Sequence, residues 1–186
     1  MKILCHILFC FVLAAVVPAV TLGPAFGQPQ PGEYEVKAAF LYNFLSFVEW
    51  PATVKRSDTL RVCVMAEPPA LNAFNELNGQ IAAGRKIDTV HLSPDDSPGS
   101  CHVLFIGSHA ELDLPRIMKA VEGAGVLTVG DTAGFATQGV IINFYLQSKK
   151  VRFEINAAAA RRSGITISSK LLKLAGAVYG AAPAGE

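Results

Sequence analysis

Four cysteines, four histidines and one glycine-rich loop hold most of the reactive chemistry in this 186-residue chain. Cys63, Cys101 and His102, with His91, are ligand types that zinc prefers, but no C-x-x-C or H-x-x-x-H spacing accompanies them. In an oxidising compartment, two cysteines without such spacing read as a disulfide. A Cys63–Cys101 bridge closes a loop of ~39 residues and contributes roughly 4 kcal/mol on the loop-entropy model. The bridge is the expectation. Free thiols, or a metal site built from those four residues, are the alternatives.

Gly130-Asp-Thr-Ala-Gly-Phe-Ala-Thr-Gln-Gly139 is the most functional-looking loop by composition. It has neither the G-K-[ST] of a phosphate loop nor the G-x-G-x-x-G of a dinucleotide fold. It reads as a structural connection before a hairpin, with a ligand loop as the alternative. There is no G-x-S-x-G elbow, and Thr166-Ile-Ser-Ser-Lys170 does not give S-x-x-K. His91, His102 and His109 have no carboxylate and nucleophile at readable spacing. Asp95-Asp96 lies in a Pro/Ser/Gly loop, where solvation is the default. No catalysis and no cofactor are expected. Arg152, Glu154, Asn156, Arg161 and Arg162 form a denser group. Two charges lie on the outer face of a strand, then comes a capping amide, then two guanidiniums. This cluster reads either as an ion-pair network at a strand–helix junction or as a polar recognition surface beside an apolar groove.

Hydrophobic residues make up 51% of the chain and charged residues 17%. The excess is concentrated at the start. Lys2, the apolar run Ile3–Val17 and the small residues of Ala25-Phe26-Gly27 have the layout of a signal peptide cut before Gln28. The run is ~15 residues, short of the ~20 that span hydrocarbon. The expected organisation is a signal peptide over 1–27, a tail over 28–32, one domain over 33–180 and a tail over 181–186. The mature chain is expected in the periplasm, without membrane insertion of its own. Without Lys2, Lys and Arg equal Asp and Glu in number. No basic excess remains to attract nucleic acid.

These residues require elements to position them. Glu35–Glu49 has helical periodicity, with Val36, Ala38, Phe40, Leu41, Phe44, Leu45, Phe47 and Val48 over about half the circumference. A surface helix needs a stripe of only ~100°, so this one is expected to touch a core and something else besides. Trp50-Pro51 ends it. Leu60–Met65, Arg85–Leu92, His102–Ile106 and Val126–Val129 read as strands. Ala70–Leu77 and Leu112–Glu122 read as helices. This order implies an α/β fold, a single-domain mixed sheet flanked by helices. Gly139–Leu146 and Lys150–Ile155 alternate and form a C-terminal antiparallel hairpin. Val140, Ile142, Phe144 and Leu146 face one side of it; Ile141, Asn143 and Tyr145 face the other. Two terminal helices follow, one capped by Asn156 and one running from Ser168 or Ser169 to Val178.

Tyr34-Glu-Val-Lys-Ala-Ala-Phe-Leu-Tyr-Asn-Phe44 with Val48-Glu-Trp-Pro51 opens the mature chain. Phe153-Glu-Ile-Asn156, Ala159-Ala-Arg-Arg162, Gly164 and Ile167-Ser-Ser-Lys-Leu-Leu172 close it. In this order, behind a signal peptide, these motifs resemble the YfiR family of exported bacterial proteins over essentially all of 33–178. The resemblance implies a periplasmic repressor. Such a protein binds the periplasmic sensory domain of an inner-membrane diguanylate cyclase, lowers cyclic-di-GMP synthesis and forms homodimers. It also implies a disulfide at Cys63 and Cys101; a second cysteine pair of the family is missing here. Phe40, Phe44, Arg152, Glu154, Asn156 and Arg161 are the expected partner-binding residues. The alternatives are a small-ligand module using the Gly130–Gly139 loop and the Glu154–Arg162 surface and, more weakly, an exported hydrolase.

Overall fold

The computed structural model describes residues 32–54 and 57–180. The segment expected to be a signal peptide, most of the expected tail after it and the expected C-terminal tail lie outside the described residues. Helix α1 (Glu33–Phe44) starts with Glu33 and Glu35 in its first turn, where negative charge faces the positive end of the helix dipole. It continues as a 3-10 turn over Leu45–Phe47, then as strand β1 (Val48–Glu49). The helix expected to reach Glu49 therefore stops earlier. Val48 is β-branched, Trp50 precedes proline, and the extended pair bonds antiparallel to β9 (Thr166–Ile167). The Ser168 N–H donates to the Phe47 carbonyl at 2.9 Å and closes that small sheet.

The main sheet has eight strands in the order β10-β8-β7-β6-β5-β2-β4-β3. Its parallel centre is β4 (Arg85–His91), β2 (Thr59–Met65), β5 (Val103–Ile106), β6 (Leu127–Gly130) and β7 (Ile142–Gln147). β3 (Ile81–Ala82) and β8 (Lys150–Asn156) pair antiparallel with β4 and β7. The β7–β8 turn places Ser148 and Lys149 at φ 50° and 62°, as a two-residue hairpin loop requires. The fold class is as expected: a mixed α/β sheet with helices on both faces.

Apolar strands buried on both faces sort their side chains alternately. Val62, Val64, Val103, Phe105, Leu127 and Val129 join one core cluster. It is roofed by α1, α2 (Ala70–Asn75), α4 (Ala157–Arg162) and α5 (Ser169–Leu174). Phe74 and Phe105 meet there with ring centroids 4.1 Å apart. Cys63, Met65, Leu104 and Ile106 join the other cluster, under α3 (Leu114–Ala120) and Phe135.

Three further expectations change. The helix expected over Leu112–Glu122 is a 3-10 turn over Ser108–Asp113 followed by α3, with Pro115 in its first turn; Leu112 is left 97% exposed. The last helix ends at Leu174, and Ala177–Tyr179 forms β10, parallel to β8. The Gly176 N–H donates to the Phe153 carbonyl at 2.8 Å, and a Cβ on Gly176 would collide with the Tyr145 hydroxyl. That contact fixes β10 as a strand. Finally, β7 does not alternate cleanly. Ile141 and Asn143, on the side opposite Ile142 and Phe144, are buried as they are, whereas Leu146 is exposed. At its start β7 is covered on both faces, and only the hairpin tip is solvated. No helix among the described residues is long and apolar enough to cross a membrane.

Candidate functional site

The hairpin register puts Asn143 opposite Glu154. Glu154 Oε1 accepts from Asn143 Nδ2 at 3.0 Å, and Oε2 accepts from the Tyr179 hydroxyl at 2.8 Å. One carboxylate thereby joins β7, β8 and β10. Asn143 Nδ2 also donates to the Thr132 carbonyl at 3.0 Å, which extends the network into the Gly130–Gly139 loop. The hydrogen bond to Glu154, and then the carboxylate charge, push the Tyr179 hydroxyl above its usual range.

Asn156 is buried and caps α4. Its Oδ1 accepts from the Ala159 N–H at 2.8 Å, and its Nδ2 donates to the Ala136 carbonyl at 2.7 Å. It is therefore saturated by its own chain. Arg161 donates to the Gly180 carbonyl at 2.7 Å. Arg152 is exposed and forms no ion pair among the described residues. Of the two readings of this cluster, the ion-pair network is not formed among the described residues, because Glu154 takes neutral partners instead of Arg152 or Arg161.

Phe44 is 2% exposed and belongs to the core. Its ring lies 4.7 Å from Phe153 and 5.8 Å from Phe144. Phe40 is half-buried and completes this aromatic cluster. Much of the surplus apolar arc of α1 is thus covered by the β7–β8 hairpin. Cys63 and Cys101 are bonded, with Cα atoms 5.9 Å apart. β2 and β5 are parallel neighbours with Val62 opposite Val103, which brings the two cysteines within reach. With both sulfurs in that bond, the alternative metal set loses two of its ligands. Among the described residues, no group of three or more His, Cys, Asp or Glu is arranged to hold a metal.

A buried ion pair was missing from the sequence reading. The Lys37 side chain, 3% exposed, places Nζ 2.9 Å from Asp131 Oδ2 and 2.5 Å from Glu33 Oε1. It also lies over the Tyr34 ring at 4.4 Å. Burial alone would lower the Lys37 pKa, but the hydrogen bonds it donates to Glu33 and Asp131, with their charges, outweigh it and raise the value. Burial, then the Asp131 charge, raises that of Tyr34. The sequence did contain a signal: Lys37, Leu41 and Phe44 follow the i, i+4, i+7 spacing, so Lys37 lies on the buried face. Beside it, Asp131 Oδ1, Thr132 Oγ1 and Asn143 Oδ1 are buried without a partner among the described residues. Gly130 opens this corner, since a Cβ there would stand 2.6 Å from the Phe135 ring. The arrangement orders a loop and three strands. Its one ammonium is shared between two carboxylates and is not a free base.

Two solved structures have a similar fold. A conserved domain protein from Vibrio cholerae O1 biovar El Tor aligns with a TM-score of 0.55 at 14% identity, over 78% of this chain and 60% of that one. The ABC domain in complex with L-Trp from Streptococcus pneumoniae aligns with a TM-score of 0.52 at 12% identity, over 76% of this chain and 60% of that one. This chain therefore spans about 60% of the length of each, and the likeness concerns the fold alone. The YfiR/HmsC-like family model matches residues 34–176, from the start of α1 to the glycine before β10. With both terminal motifs and the whole sheet up to that glycine inside the match, the chain belongs to the YfiR/HmsC-like family.

Proposed function

We propose that the mature chain is a non-catalytic periplasmic regulator. In this reading it binds the periplasmic sensory domain of an inner-membrane diguanylate cyclase and lowers cyclic-di-GMP synthesis. The family match over residues 34–176 carries the reading. Family membership supports, in general terms, a regulatory role in cyclic-di-GMP signalling from the periplasm. The cyclase partner and the repression go beyond that and rest on the resemblance alone; the surface described next is where such a partner would be held.

Three of the exposed large apolar side chains, Leu146, Leu174 and Tyr179, belong to β7, α5 and β10. These elements lie at or next to the end of the sheet that ends in β10. Arg152 and Arg161, both exposed, belong to β8 and α4 in the same region. Exposed apolar groups with nearby arginines are the usual ingredients of a recognition surface. The partner-facing set is therefore Arg152, Arg161 and Tyr179, on the face of β8 that carries Glu154, with Phe44 and Asn156 serving inside the chain and Leu146 on the opposite face with Val151.

The test uses the purified mature protein and the purified periplasmic domain of the host's membrane diguanylate cyclase. Arg152→Glu should weaken binding about tenfold or more, raise cellular cyclic-di-GMP and leave the melting temperature unchanged, whereas Leu146→Asp, on the opposite face, should leave binding intact. Glu154→Lys is a confounded probe, because it also breaks the bonds to Asn143 and Tyr179. Wild-type protein that binds no cyclase domain, or deletion of the gene without a rise in cyclic-di-GMP, refutes the reading. A second copy of the chain binding at this surface would assign it to a homodimer instead.

A further inference from the structure

A cleft of about 480 Å³ opens between α3, the end of the Gly130–Gly139 loop and α4. Its size falls within the roughly 300–1,000 Å³ of small-molecule sites. Its apolar lining comes from Met118 and Val121 on one side and Ala159 on the other. Thr128 of β6 also lines it. Lys119, Glu122, Gln138, Arg162 and Ser163 supply the remaining polar groups.

Of the charged groups two are cations and one is a carboxylate. Thr128 is 1% exposed, and its Oγ1 accepts from the Ile141 N–H at 2.9 Å. Its own hydroxyl proton has no acceptor among the described residues. A buried donor left in that state has a cost, and an acceptor entering the cleft removes it. Ser163 Oγ has no hydrogen bond among the described residues either. Lys119 and Arg162 form no ion pair there, and neither does Glu122. Both cations stand in the last turns of their helices, where they also complement the dipoles. That role does not require the two cations to share a cleft, as they do here. Two cations against one carboxylate leave the lining with a net positive charge, which favours an anion.

We propose that this cleft binds a small organic anion through a carboxylate headgroup held by Lys119, Arg162 and the Thr128 hydroxyl. A short apolar body packs on Met118, Val121 and Ala159. Glu122 limits the charge that the site tolerates, which favours a monoanion. The assignment stands apart from the cyclase reading, since neither the cleft nor its ligand depends on a partner.

The probes are butyrate, hexanoate and inorganic phosphate, titrated into the mature protein at constant ionic strength and followed by amide chemical shifts. Hexanoate should saturate at a Kd of about 1 mM or tighter. Butyrate should bind more weakly because it buries less apolar surface. Lys119→Ala and Arg162→Ala are surface changes in folded protein, and together they should reduce hexanoate affinity about tenfold or more. Glu122→Gln should tighten it. The absence of saturation by any probe overturns the site. So does hexanoate binding that survives the double variant unchanged. Phosphate binding as tightly as hexanoate overturns the ligand class, because it would leave the apolar lining without a role.

Discussion

Lys37 carries more of the fold than any other single charge in the described residues, because its partner Asp131 is as deeply buried as it is. Removing one member of such a pair leaves the other desolvated and uncompensated. Lys37→Met should therefore cost about 3–5 kcal/mol in urea unfolding. Asp131→Asn should cost less, because Lys37 keeps Glu33, whose side chain is partly exposed. A Lys37→Met loss below about 1 kcal/mol would place the pair among inconsequential surface contacts. The pair was only half legible in the sequence. The helical spacing puts Lys37 on a buried face, but Asp131 is 94 positions away and reaches it through a parallel sheet. No local pattern encodes that meeting. Asn156 was the opposite case. A capping residue needs only a strand behind it and a helix ahead, and both were readable.

At the scale of elements, hydrophobic runs revealed the central strands and alternation revealed the hairpin. Two errors share a cause. Val48-Glu49 and Ala177–Tyr179 are short segments whose conformation is set by a partner strand rather than by their own composition. Helical periodicity carried both into the preceding helix. Partner-imposed structure is what single-sequence propensity reads least well. The Cys63–Cys101 bond acts at this scale too, fastening β2 to the start of β5 across 38 positions. Reduction of the pair, or Cys63→Ala with Cys101→Ala, should destabilise the domain by roughly 4 kcal/mol. The fold should persist at low temperature, since β2 and β5 remain hydrogen-bonded without it. Calorimetry on oxidised and reduced protein measures the loss. Equal melting temperatures would remove the bridge from the stability account.

For the whole molecule, the groups with raised pKa values set a common alkaline limit. Lys37, Tyr34 and Tyr179 all hold their protons more tightly in the folded chain than at their ordinary values of 10.5, 10.0 and 10.0. Below those values both states are protonated and the stabilisation is fully present. As pH climbs past about 10 the unfolded chain loses these protons first, and stability falls through the higher folded values. Unfolding free energy measured from pH 8 to 11.5 should hold level and then decline. A Lys37→Met variant should decline less steeply. A wild-type profile flat to pH 11.5 would contradict the assignment.

The small β1–β9 ladder joins residues 48–49 to 166–167, nearly opposite ends of the described chain. A chain emerging from a membrane pore amino end first delivers α1 at the outset and the strand that closes over its exit near the finish. Leu41, Phe44 and Leu45, each almost fully buried in the finished protein, have no lasting cover until the hairpin and β9 have emerged. Such long-range closure is slow compared with local contacts, and apolar surface waiting for it is prone to association. The order of arrival thus gives this topology a late-closing seam, and an escort that shields α1 during delivery would act on its yield without changing its stability.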